Sequence, residues 1–235
     1  MGRIITFHAN GQEFQGYLAL AEGTVAAPGV IVIQEWWGLV DHVKDLCERF
    51  AAAGFHALAP DLYAGRATTK PDDAGRMMMA LDIHQTELAL RGAVEALLTV
   101  PTSPPTRGAG TPHPKVGCVG FCMGGQLALL AAAENPQIGA TVDFYGIHPK
   151  VHVDFAKVSG PVLAFFAEHD ESVGVGAMMQ LAGAFQANKK RLEVHRYLDA
   201  HHAFFNDTRP EVFHPQHAAD AWARTKAFLE QYLQS

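Results

Sequence analysis

The chain has 235 residues, 49% of them hydrophobic and 18% charged, which is enough apolar material for one sizeable core and implies a single domain over residues 1–235. A formal net charge of -6 and a pI near 6.1 leave no broad basic field for nucleic acid or anionic lipid, so the expected partner is a small soluble molecule. No apolar run approaches the roughly 20 residues that span a bilayer, and the N-terminus lacks the charged-then-apolar layout of a signal peptide, so a cytoplasmic protein is expected.

Residues 3 to 8 and 13 to 20 are short apolar-rich stretches joined by Asn10-Gly11, a dipeptide suited to the positive φ angles of a tight hairpin. The run from Pro28 to Glu35 is continuous and β-branched, as in a strand covered on both faces. Leu39, Val43, Leu46, Cys47 and Phe50 then recur at helical spacing up to Gly54, a good stop residue, and Phe55 to Pro60 reads as a strand again. A long helix is expected over about Asp72 to Leu98. The Pro-, Gly- and Thr-rich stretch from Pro101 to Pro114 cannot hold a helix and reads as a surface connection. Strands at Lys115 to Gly120, Ala140 to Tyr145, Pro161 to Ala167 and Arg191 to Tyr197 alternate with helices at Met123 to Glu134, Val175 to Ala187 and Pro215 to Leu233. Repeated βα units of this kind predict an α/β fold with a mostly parallel sheet wrapped by helices.

The strongest local signal is Gly120-Phe121-Cys122-Met123-Gly124-Gly125, where an apolar strand ends and an alanine-rich helix begins at once. This is the pattern of a nucleophile elbow with cysteine in place of serine. Small residues two before and two after the nucleophile remove side chains that would clash in so tight a turn, and the helix N-terminus behind it favours a thiolate. Cys118, inside the strand, and Cys47, on a helical apolar face, read as inert core thiols.

A nucleophile of this type needs a histidine to carry its protons and an acid to hold that histidine, in the chain order nucleophile, acid, histidine. The acid falls in Glu168-His169-Asp170-Glu171, with Asp170 at the strand's carboxyl end and both glutamates able to substitute. The histidine falls in Leu198-Asp199-Ala200-His201-His202, where spacing leaves both histidines open.

The elbow, the aspartate loop and the Ala-His-His-Ala-Phe stretch after Tyr197-Leu198-Asp199 together resemble the dienelactone hydrolase (carboxymethylenebutenolidase) family, over nearly the whole chain. The resemblance implies an α/β-hydrolase fold and hydrolysis of ester or lactone bonds with no cofactor. It selects His202 as the catalytic histidine. It also implies that Glu35 contacts the resting thiol, and that the backbone N–H groups of Trp36 and Met123 form an oxyanion hole. In members acting on dienelactone, an arginine four residues past the histidine grips the substrate carboxylate; this chain has Asn206 there, with Arg209 the nearest arginine downstream. Arg76 is a candidate for a second carboxylate-binding arginine. Tyr145, Phe204, Phe205 and the run Met77 to Met79 suit an apolar pocket, although each residue type is more often plain core.

Two rival readings keep the scaffold: a thiol-based acyl-binding or redox-responsive protein in which Cys122 reacts without efficient turnover, and a non-catalytic interaction protein. The 13 histidines, with His214 and His217 three apart and His201 and His202 upstream, raise the question of a metal. No nearby cysteine or carboxylate completes a recognisable ligand set, so no metal is expected. A monomer or small homo-oligomer is expected.

Overall fold

The computed structural model describes residues 1–22, 27–100 and 115–233, so the expectation for 101–114 lies outside the described residues. Within these residues eight strands form one sheet: β1 (Arg3–Ala9), β2 (Gln12–Ala19), β3 (Gly29–Ile33), β4 (His56–Pro60), β5 (Val116–Phe121), β6 (Ile138–Phe144), β7 (Val162–His169) and β8 (Leu192–His201). Among the described residues six helices accompany them: α1 (Asp41–Ala52), α2 (Pro71–Met79), α3 (Ile83–Thr99), α4 (Met123–Glu134), α5 (Val175–Ala187) and α6 (Pro215–Leu233). The strand order is β1-β2-β4-β3-β5-β6-β7-β8. The β1–β2 and β2–β4 pairs are antiparallel, and the remainder of the sheet is parallel.

Each central strand is apolar for a reason visible in its surroundings. Every residue of β3, β5 and β6 is buried, because helices cover both faces of a parallel sheet and leave no wet side. The edge strand β1 instead alternates exposed and buried residues. Helix α4 is buried nearly all round, from Met123 to Ala133, and this accounts for its alanine and leucine composition. Close approach sets some residues: a Cβ on Gly117 of β5 would stand 2.8 Å from Leu229 of α6.

Two expectations need correction. The single helix expected over 72–98 is two helices. α2 ends at Met79, and Asp82 starts α3 by accepting the Gln85 N–H at 3.1 Å. Apolar spacing runs unbroken through this joint, so periodicity could not see it; the signal was the N-cap aspartate. The last strand also runs four residues past Tyr197, to His201, which pairs with His169 after a register irregularity in β7.

Candidate active site

Cys122 stands between β5 and α4 with φ 53° and ψ -119°, a left-handed conformation that an L-residue adopts only under tertiary constraint. The constraint is visible: the Cys122 N–H donates to the Phe144 carbonyl at 2.9 Å, and its own carbonyl accepts from Gly125 (2.9 Å) and Ile147 (3.1 Å). The flanking glycines are required by contact. A Cβ on Gly120 would lie 1.9 Å from the Gly124 oxygen, and one on Gly124 would lie 2.4 Å from the Ile33 oxygen. The elbow therefore sits directly against the end of β3, from which Gln34, Glu35 and Trp36 continue. Gly124→Ala is expected to wedge these two segments apart and to destabilise the fold by about 1–3 kcal/mol, as overpacking does; denaturant unfolding would measure it.

Asp170 follows β7 immediately and is 6% exposed. Its Oδ1 accepts the Ser172 and Val173 N–H groups at 2.8 and 2.7 Å, which fixes the carboxylate, while Oδ2 meets His202 Nδ1 at 2.7 Å. The alternatives considered for the acid point elsewhere: Glu168 pairs with Arg196 at 2.9 Å, and Glu171 is exposed.

The two histidines part company because β8 extends to His201. Successive strand side chains face opposite ways, and His201 is exposed, its ring 5.4 Å from that of His169. His202 is the first residue past the strand, and Ala203 follows with φ 64°, which turns the chain sharply. The His202 ring lies 4.9 Å from the ring of Tyr145, and Cys122 is among the groups near enough to raise its pKa. Burial pulls the His202 pKa down, but hydrogen bonds with Asp170 and Cys122 and the charge of both outweigh it, and the pKa is pushed up to about 10. The geometry thus favours an imidazolium between two acidic partners. Burial raises the Cys47 and Cys118 thiols far above their ordinary value, so both stay protonated at neutral pH.

Glu35 is 4% exposed at the end of β3; its Oε2 accepts from Asn206 Nδ2 at 2.8 Å, and Oε1 has no hydrogen-bond partner among the described residues. Asn206 is itself held by Thr208, whose N–H and hydroxyl donate to its Oδ1 at 3.1 and 2.6 Å. Asn206 is therefore committed to Glu35, a link that no sequence signal suggested. Trp36 lies in the turn after Glu35, and Met123, as the first residue of α4, has an N–H with no acceptor inside its helix.

The remaining residues are less engaged. Tyr145 is fully buried with φ 44°, and burial together with nearby Glu35 and Cys122 raises its phenol well above the ordinary value. Phe204 is also fully buried, edge-on to Tyr145 and Tyr197, and so packs as core. Arg209 lies over the Trp37 ring at 5.6 Å and pairs with Glu211 at 2.9 Å. Arg76 does not join the set: its side chain is 73% exposed and ion-paired to Asp73 on α2. His214 and His217 share a carboxylate after all, that of Asp199. The sequence reading missed it because Asp199 is on β8, fifteen residues upstream of His214.

No helix of the described residues is long and apolar enough to cross a membrane. The family model for the dienelactone hydrolase family matches residues 14–233. The protein named usf from Aquifex pyrophilus is 36% identical over 240 residues, covering 99% of this chain and all of that one. A protein provisionally named carboxymethylenebutenolidase from Aquifex aeolicus is 32% identical over 240 residues, with 99% and 100% covered. Among solved structures, one described as a provisional dienelactone hydrolase from Klebsiella pneumoniae superposes with a TM-score of 0.84 at 26% identity, covering 98% of this chain and all of that one.

Proposed function

Given that the chain belongs to the dienelactone hydrolase family, we propose that it hydrolyses ester or lactone bonds of small molecules through Cys122, His202 and Asp170. The observation that carries the reading is the 2.7 Å bond between His202 and a buried, doubly anchored Asp170, together with a cysteine held in a strained elbow near enough to raise the His202 pKa. The Cys122 thiolate attacks the carbonyl carbon, and the Met123 and Trp36 N–H groups receive the oxyanion. The His202 imidazolium then gives its proton to the leaving oxygen, and the neutral ring takes one from the water that cleaves the thioester. Glu35, whose Oε1 has no hydrogen-bond partner among the described residues, contacts the resting thiol and helps generate the thiolate when substrate arrives. No step needs a metal or an organic cofactor.

The same geometry narrows the substrate. Asn206 is neutral and turned to Glu35, and Arg76 and Arg209 are each paired with a carboxylate of the protein. Neither candidate arginine is left free to grip a substrate carboxylate, so uncharged esters and lactones fit better than dienelactone itself. The test is a panel of aryl esters, enol esters and lactones assayed at steady state, each acid-bearing substrate beside its methyl-capped partner. Higher kcat/KM for the capped partner is expected. A burst of one equivalent without turnover would favour an acyl-binding thiol protein, and a preference for the free acids would overturn the substrate assignment.

A further inference from the structure

Away from the elbow, β8 and the start of α6 bring three ligating side chains to one point. His217 Nε2 is hydrogen-bonded to Asp199 Oδ1, and His214 Nε2 lies 3.5 Å from Asp199 Oδ2. All three donor atoms fall within 4.8 Å of one another. The two imidazoles stack at 3.8 Å between centroids, and the Tyr197 ring stacks on the far face of His217 at 4.5 Å. Tyr197 is fixed in turn by a 2.7 Å bond from its hydroxyl to Asp220. The histidines are about three-quarters buried while Asp199 is open to water, so the ligands are steadied from behind and the coordination sphere faces solvent.

We propose that Asp199, His214 and His217 form a binding site for a divalent transition metal, with zinc the best fit. Two imidazole nitrogens and one carboxylate oxygen are a common zinc donor set, and solvent supplies the remaining position. Donors sharing one tetrahedral zinc stand about 3.4 Å apart, so binding requires the two stacked imidazoles to turn their Nε2 atoms toward a common point and close by more than an ångström. On binding, each imidazole proton moves from Nε2 to Nδ1 and the metal takes its place. His214 thereby gives up a long 3.4 Å contact in which its Nδ1 accepts the His217 N–H. The bound ion would tie the end of β8 to α6, three residues upstream of His202.

The test is isothermal titration of the chelator-treated protein with zinc chloride, paired with visible absorption of the cobalt(II) form. Expected are one equivalent of zinc, cobalt d–d bands without a sulfur-to-metal charge-transfer band, and affinity at least about 10-fold weaker in His217→Ala and in Asp199→Ala. His169→Ala, which removes one ring of the other histidine pair at this end of the sheet, should bind zinc like the wild type. Asp199 is largely exposed, so its variant keeps the test readable if His217→Ala folds poorly. Failure to bind zinc, unchanged affinity in the Asp199 variant, or a thiolate charge-transfer band placing the metal on Cys122 would each overturn the proposal. None of these readouts depends on hydrolytic activity.

Discussion

Cys122→Ala is expected to abolish ester hydrolysis, lowering kcat/KM by at least about 10,000-fold, because the proposed acyl intermediate forms on its sulfur. The fold should barely notice. The substitution removes one sulfur from a residue whose backbone is already held by three hydrogen bonds, and stability should change by about 1 kcal/mol or less. Cys118→Ala is the matched control. That thiol is completely buried in β5 four residues earlier, is kept protonated by burial, and should leave turnover within a few-fold of wild type. The variant also has a spectroscopic consequence. Removing the sulfur deletes one of the two acidic partners that raise the His202 pKa, so the imidazole should titrate at lower pH in Cys122→Ala than in wild type, as NMR of the ring protons would show. Hydrolysis at near wild-type rate in Cys122→Ala would end the cysteine mechanism.

His202→Ala should lower kcat/KM by roughly 100-fold to 10,000-fold, the usual contribution of a positioned proton-transfer group, whereas His201→Ala should change stability by about 0.5 kcal/mol or less and leave the rate intact. The contrast follows from the strand end. His201 is the last residue of β8 and faces solvent near His169, while His202 has passed the strand and meets Asp170. The pH profile gives a second check with a definite sign. A proton held on His202 with a pKa of about 10 is available to the leaving group at neutral pH and is lost as pH rises through that value, so kcat/KM should hold through pH 8 to 9 and fall above it. If His201→Ala were inactive and His202→Ala active, the assignment along this loop would be off by one residue, and the reading of Asn206 would fall with it.

Much of the scaffold was legible in the chain itself. Continuous β-branched runs, helix-stop glycines and the Asn10-Gly11 hairpin are local signals, written by steric and hydrogen-bonding rules that act over a few residues, and the strands and most helices follow them. Gly120, Cys122 and Gly124 were likewise readable, because the turn between β5 and α4 imposes its demand for small residues at fixed spacing. The joint at Asp82 was missed because apolar periodicity ignores a break that a single capping side chain makes.

Only the tertiary structure decided which groups meet. Asp170 lies 32 residues from His202, and Asn206 lies 171 from Glu35; such partners are joined by the order of strands in the sheet, to which sequence spacing carries no reference. The choice between His201 and His202 needed a family resemblance; what the structure adds is that β8 stops at His201 and that His202, just past it, meets Asp170. Arg76 shows the reverse: its residue type suited a carboxylate subsite, but the fold leaves it on the open face of α2 beside Asp73. Asp199 reaches His214 and His217 only because β8 runs past the start of α6, so its carboxylate, distant in sequence, became a neighbour through folding alone.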